Sequence, residues 1–485
     1  LSRALNNALI PHNAARLASI TQYFVAAVDT PNPSRAHYKC TGADDQIIIN
    51  QALTECAGSK VTLLDGNYTI SNPIIPQNAT EIELMGSKIK IKNAVIANLT
   101  VDATAGQADV TVDDASGFFA GQWVILNDSN GTVQGGYSDQ TRFEGDCATI
   151  LSINDNTVTL SNDLFYTYAV SESATLSTCP SAFLIDTKNN IKIHGRGTID
   201  GNKANQVDVQ PTKKVDATRV EETRASTGIY IYNSYNIDIE GLTIQNTVLH
   251  GLTVHSSYKI RALYNHTNGC HDKGILATGA YDSIIKGNIC ENAQFEDGIS
   301  IYASNYEITV DDNICINNPR FGINVQQSAN NIDISLANNI CKNNGKNFFF
   351  GGLRLSSVND ISNGGLNDSY YSVTLAGIDM TITNMRSVVG DKGRGAFFIY
   401  GDYIRIFGGT AVGSTTTSGD GQAFCIANVG TSYADNVTIN GMMIRDSKVG
   451  ILAGTGITNV KVKDSFLVGN TADTTDNSGG QLVIS

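Results

Sequence analysis

Apolar and polar residues alternate along this chain in short runs far more often than they form helical stripes. VTLLDGNYTI (61–70) and IELMGSKIKI (82–91) place apolar residues at every second position between Gly and Asn, the pattern of short strands with one buried face. From Gly228 the rhythm becomes a repeat. GIYIYNSYNIDIEGLTIQN is followed by GLTVHSSYKIRALYNHTN, GILATGAYDSIIKGNICEN, GISIYASNYEITVDDNICIN and GINVQQSANNIDISLANNICKN. The leading glycines are 228, 251, 274, 298 and 322, in steps of 23, 23, 24 and 24. A period of that length means a solenoid whose coils bury their faces on one another. The pattern loosens but continues at Gly352, Gly395 and Gly450. A leucine-rich repeat has a similar period, but it needs an L-x-x-L-x-L ladder and a helical segment, and neither is present. The expected class is all-β, a right-handed parallel β-helix.

Three stretches depart from the rhythm. RALNNALIPHNAARLASI (3–20) reads as a helical arm broken at Pro11. After Gly42, Ala43-Asp44-Asp45 lead into Ile47, Ile48, Ala52, Leu53 and Cys56, a helix with acids in its first turn, placed to cap the open end of the stack. Residues 97–178 read as a small antiparallel β-domain inserted between early strands, with Trp123 in its core. The expected organisation is an arm over 1–35, a cap helix and first coils over 36–96, the insertion over 97–178, and the main β-helix over 179–485. Within the last, 201–227 is a charged loop.

Of the 485 residues, 41% are hydrophobic, enough for a sizeable core, and 16% are charged, below the roughly 25% of ordinary globular chains. A net charge of −13 argues against nucleic acid as the main partner. No run approaches the ~18 apolar residues of a membrane span. The opening at Leu1, without Met, reads as a processed form or a fragment. Nine cysteines cannot all pair within one chain. Cys290, Cys315 and Cys341 recur in the phrase NICxN. Parallel side chains in one ladder do not converge tetrahedrally on zinc, so these read as small buried hydrophobes.

Equivalent positions on successive coils of a parallel β-helix stack about 4.8 Å apart. The residues before each leading glycine therefore form a ladder: His250, then His271-Asp272-Lys273, then Glu296-Asp297, then Arg320-Phe321. Stacked like charges raise a carboxylate pKa and suit it to general acid work. Asp272 and Asp297 span one coil, within reach of the ~5–5.5 Å or ~6.5–9.5 Å carboxylate separations of glycoside hydrolysis. For β-elimination on uronic acids, Lys273 or Arg320 would be the base, and Asp272, Glu296 and Asp297 would hold Ca²⁺. His250, His271 and Tyr302 are candidate substrate-binding residues. Tyr230, Tyr232, Tyr235, Tyr306 and Phe348–Phe350 suit sugar stacking and core packing equally. Lys213, Lys214, Arg219 and Arg224 would form a lip over a groove for an anionic glycan. The competing reading is a solvated ladder of surface ion pairs with little energetic weight. No phosphate-binding glycine loop or Gly-x-Ser-x-Gly elbow is present, so nucleotide and serine-hydrolase chemistry are set aside.

GTIDGN (197–202), followed by glycine-led coils ending NICxN, resembles the pectin-lyase-like superfamily of right-handed parallel β-helices over roughly residues 36–485. DDQIIINQAL ahead of VTLLDGNYTI resembles the N-terminal cap of many bacterial, archaeal and phage tailspike members. That superfamily holds polysaccharide lyases, glycosidases, uronate epimerases, tailspikes and members without known activity. The resemblance implies a polysaccharide or cell-surface glycan as partner and an extracellular, secreted or virion setting. It also implies a tailspike-like homotrimer joined through residues 1–20, the alternative being a monomer whose arm packs on its own first coil. Asn246-Thr247 resembles the start of the polygalacturonase Asn-Thr-Asp motif, but Val248 replaces the acid and no Gly-His-Gly follows. The Asp-Pro-His-Glu motif of alginate epimerases is absent. Two functions are expected: a carbohydrate-active protein that binds and cleaves a complex polysaccharide, as lyase or glycosidase, or a non-catalytic attachment or structural protein.

Overall fold

Each glycine-led unit folds into one coil of three strands; in the first these are Ile229–Tyr232, Tyr235–Glu240 and Thr243–Gln245. The corners fall at Asn233, Gly241 and Asn246, all with positive φ, a conformation that Gly adopts freely and Asn tolerates. This accounts for the Asn and Gly that punctuate the sequence. The computed structural model describes residues 22–133, 141–207, 226–326, 330–365, 371–389, 394–413, 422–429, 434–477 and 482–485.

Coils stack in parallel register. Ile229 lies over Leu252, followed by Ile275, Ile299, Ile323 and Phe348, all fully buried along the axis. Among the described residues, twelve such strands form one sheet, and the other strands of the coils form a 27-stranded sheet. The architecture is a right-handed parallel β-helix.

Close approach, rather than φ, explains the leading glycines. A Cβ on Gly251 would lie 2.6 Å from the Gly274 carbonyl oxygen, one on Gly274 2.6 Å from that of Gly298, and one on Gly298 2.8 Å from that of Gly322. The period is thus a steric requirement of stacking.

Buried polar groups at the corners satisfy one another. The backbone N–H of Asn265 donates to the side-chain oxygen of Asn288 at 2.9 Å, Asn288 to Asn313 at 2.9 Å, Asn313 to Asn339 at 3.0 Å, and Asn339 to Asp360 at 2.7 Å. Cys290, Cys315 and Cys341 are in register inside the core, and burial pushes their thiols up. All nine cysteines are buried.

The helix Gln46–Glu55 covers the N-terminal end, burying Ile49, Ala52 and Leu53 in the solenoid core. Ile47 was expected on that face but is 63% exposed. With the helix beginning at Gln46, the i, i+3, i+4 spacing puts Ile49 on the buried side instead. Between the early coils sits the insertion, a six-stranded antiparallel sheet from Ile96–Asn98 to Thr175–Thr178. Its separate core contains Leu126, Ile150, Val158 and Leu176 around Tyr168, whose hydroxyl donates to Asp146 at 2.9 Å. Trp123 is not in that core. It is half-buried near the junction, where its backbone N–H donates to Asn72 and its carbonyl accepts from Cys179.

The arm over 3–20 and the loop cations Lys213, Lys214, Arg219 and Arg224 lie outside the described residues. No helix among the described residues is long and apolar enough to cross a membrane.

Candidate functional site

The segment before each leading glycine closes one coil and opens the next, so its backbone is held by the coil above. Asp272 donates its backbone N–H to Leu249, Gly251 to Lys273, Gly274 to Asp297, and Arg320 to Glu296. Two neighbouring columns result. One carries Leu249, Asp272, Glu296 and Arg320; the other carries His250, Lys273, Asp297 and Phe321.

Within these columns the charges are interlocked. Lys273 Nζ lies 2.9 Å from Asp272 and 3.5 Å from Glu296, and Arg320 closes on the same Glu296 oxygen. The Glu296 side chain is only 2% exposed. The cluster is therefore far from the solvated ladder that surface ion pairs would form. Burial weakens the ammonium, but Asp272, Glu296 and Asp297 more than offset that, and Lys273 is held well above the ordinary lysine range. It acts as a fixed cation at neutral pH, which removes the base role considered for it.

Asp297 differs from its neighbours. Its Oδ2 accepts from Asn324 Nδ2 at 2.9 Å, while Oδ1 is buried without a hydrogen-bond partner. Burial first, and then the adjacent Glu296 charge, push its pKa up to about 7, against the smaller opposing pull of Lys273, Arg320 and Asn324. Half-protonated near neutrality beside two ion-paired carboxylates, it has the property a general acid needs.

His250 Nδ1 comes within 3.3 Å of Asp272, yet the geometry makes no hydrogen bond, and burial drives the imidazole down to about 3. The contact is thus a neutral ring beside a carboxylate. His271 packs its ring against Phe295 at 4.5 Å between centroids. Tyr302 lies five residues beyond Asp297, past the strand Ile299–Ile301, roughly 16 Å along an extended chain. The structure brings Asp272, Lys273, Glu296, Asp297, Arg320 and His250 together and leaves Tyr302 apart.

The other aromatics divide by strand alternation. Phe348 and Phe350 are core residues, whereas Phe349 between them is half-buried on the outer side. Tyr230 is fully buried and bonded to His255 at 2.9 Å. Tyr235, Tyr258 and Tyr281 stack face to face at 5.0 and 4.8 Å, so the middle ring has no free face. Asn324 was not anticipated, although an Asn in the middle of the apolar strand Phe321–Val325 is a visible signal. Among the described residues no group of three or more His, Cys, Asp or Glu side chains is placed to hold a metal ion. The Asp272 and Glu296 oxygens that Ca²⁺ would use are engaged by Lys273 and Arg320.

Two families match the chain in sequence. A right-handed β-helix region matches residues 181–363, and the Rider domain of K1 capsule-specific polysaccharide lyase matches residues 95–180. No curated protein matches in sequence. Similar solved structures include a tailspike of Acinetobacter baumannii bacteriophage AP22 in complex with capsular saccharide, 13% identical, with a TM-score of 0.35 over 89% of this chain and 74% of that one. The A-module of an Azotobacter vinelandii mannuronan C-5 epimerase is 15% identical, with a TM-score of 0.46 over 95% and 100%. A Yersinia enterocolitica family 28 exopolygalacturonase is 12% identical, with a TM-score of 0.46 over 96% and 78%.

Proposed function

We propose that this right-handed parallel β-helix, whose residues 181–363 match a right-handed β-helix region, binds and cleaves a complex polysaccharide outside the cell or on a virion. The observation that carries this reading is Asp297, a buried carboxyl with a pKa of about 7 and one unpartnered oxygen, set against ion-paired Asp272 and Glu296. The match of residues 95–180 to the Rider domain of a capsule-specific polysaccharide lyase supports the substrate class.

In this mechanism Asp297 donates its proton to the glycosidic oxygen as the bond to the leaving sugar breaks. The charged carboxylates of Asp272 and Glu296 stabilise positive charge developing at the sugar carbon, and one of them activates water for hydrolysis. Lys273 pairs with both Asp272 and Glu296, and Arg320 pairs with Glu296, so the negative charge of these two acids is balanced within the cluster. Asn324 orients Asp297 through its Oδ2 and leaves Oδ1 without a hydrogen-bond partner.

The attachment reading is favoured by one observation: Val248 stands where the Asn-Thr-Asp motif would carry its acid. A panel of capsular and plant polysaccharides, assayed for new reducing ends, for the ultraviolet absorbance of unsaturated uronates and for binding, separates the two. Cleavage that disappears in Asp297→Asn is expected. Cleavage unchanged in that variant removes Asp297 from the chemistry, and binding to a glycan with cleavage of none favours attachment. Reducing ends without unsaturated product mark hydrolysis; both together mark elimination.

A further inference from the structure

We propose that the cavity where the insertion meets the first coils is a binding site for a neutral, N-acetylated sugar residue. It is separate from the corner at Asp297 and stands whether or not that corner cleaves anything. The cavity has about 420 Å³ of open space, within the range of small-molecule pockets rather than of a groove for a polymer. The turn into the cap helix supplies Asp44, the early coils supply Ile91, Lys92 and Val95, and the insertion supplies Phe119 and Gln122. Its walls are fastened to each other. Asn72 donates its side-chain amide to the Gly121 carbonyl at 2.9 Å and accepts from the Trp123 N–H at 3.2 Å, while the Val95 N–H donates to Thr178 Oγ1 at 2.9 Å.

The polar groups lie at two depths. Lys92 Nζ and the Asp44 carboxylate pair at 2.8 Å with about a third of each side chain exposed, and the Ser71 hydroxyl donates to the same Asp44 oxygen. A charged ligand would have to draw one member of this pair from the other. Sugar hydroxyls accept from Lys92 and donate to Asp44 without separating them.

Gln122 lies deeper, only 1% exposed. Its Oε1 accepts the Phe119 N–H at 3.2 Å, and its Nε2 donates to no group among the described residues. A buried donor left unused costs free energy that a ligand carbonyl recovers. Ile91, Val95 and Pro180 give the same cavity apolar wall. An acetamido group, a carbonyl beside a methyl, answers both features. Phe119, 37% exposed, offers its ring to the C–H face of the sugar.

The test is saturation-transfer NMR on the full chain with N-acetylglucosamine and N-acetylgalactosamine, and with glucose, galactose and galacturonate as counterparts. At least one N-acetyl sugar should bind, with its acetyl methyl taking up the most saturation, and the counterparts should bind at least about tenfold more weakly. Phe119→Ala keeps the backbone contact to Gln122 and should weaken binding about tenfold while the thermal midpoint stays near the wild-type value. Gln122→Leu should remove the preference for the acetyl group, and Asp297→Asn should bind as the wild type does. No binding of either N-acetyl sugar, equal binding of glucose or galactose, unchanged binding in Phe119→Ala, or loss of binding in Asp297→Asn overturns the site. Sugar binding by a chain that cleaves no polysaccharide keeps the site and removes the cleavage reading. Cleavage without binding of either N-acetyl sugar does the reverse.

Discussion

Arg261 reaches Asp238 across one coil on the long sheet, and Arg320 reaches Glu296 across one coil at the corner before the twelve-strand sheet. The residue types and the stacking geometry are the same. On the long sheet the Arg261 side chain is 51% exposed, and its pair with Asp238 forks into two hydrogen bonds. At the corner Glu296 is 2% exposed, shares its oxygen between Lys273 and Arg320, and sits beside an acid whose pKa its own charge raises. Water reaches the Arg261 end of the first pair, where Asp238 is 16% exposed, and screens it more than the second. The second pays desolvation that no fold needs, which is the expected mark of a site kept for chemistry.

The sharpest way to break this contrast is Asp297→Asn, which keeps the shape and the Asn324 contact region but removes the proton. If the corner is the site, cleavage of whichever polysaccharide responds should fall by about 10²–10⁴-fold. Asp238→Asn on the long sheet should leave it unchanged. Equal losses from the two variants would mean that burial does not distinguish the regions.

Glu296→Gln comes next. It leaves two cations facing a neutral amide in a buried setting, and loss of one partner from such a pair costs about 3–5 kcal/mol. Chemical denaturation should therefore show a large drop in midpoint at unchanged slope. A drop no greater than that of Asp238→Asn would make the corner another solvated ladder.

Acidity sharpens the comparison further. A carboxyl whose folded pKa is raised keeps a proton that the unfolded chain has already released. Its contribution to stability is whole below the unfolded value of 3.8 and is lost as pH rises through the folded value of about 7. Buried His250, pushed down to about 3, works oppositely, since its share is lost as pH falls below its ordinary value of 6.5. The difference between wild type and Asp297→Asn isolates the carboxyl. The variant should gain on the wild type between pH 4 and pH 8, on the order of 2–4 kcal/mol. A constant difference across that range would show that Asp297 titrates normally.

The fold was legible because its signal is steric. Gly251, Gly274 and Gly298 are required by the carbonyl of the next coil, so the same atom-level constraint recurs every 23 or 24 residues. Columns could be read as well, since parallel register places Lys273 beside Asp297 once the glycines are aligned. Burial could not. Nothing in the period tells that the Glu296 side chain is 2% exposed while Asp238 keeps 16% and its partner Arg261 51%, or that one oxygen of Asp297 lacks a partner. Trp123 shows the same limit from the other side: size and rarity suggest a core residue, but the insertion packs around Tyr168 and leaves Trp123 half-buried outside that cluster. Ile47 and Ile49 differ only in helical phase, which the start of the helix decides.

The smallest expected effect completes the contrast. A double-mutant cycle on Asp238→Asn and Arg261→Met should give a coupling of about 0.2–1 kcal/mol, as for exposed pairs generally. Each single variant removes a charge that water can replace, so neither leaves a buried group stranded. Raising the salt concentration should shrink the coupling further, because both side chains contact solvent. The equivalent cycle on Glu296→Gln and Arg320→Met should give a larger coupling that salt hardly moves. If the two couplings were equal, or if salt weakened both alike, the burial that singles out the corner would carry no energetic meaning, and the case for chemistry at Asp297 would lose its physical basis.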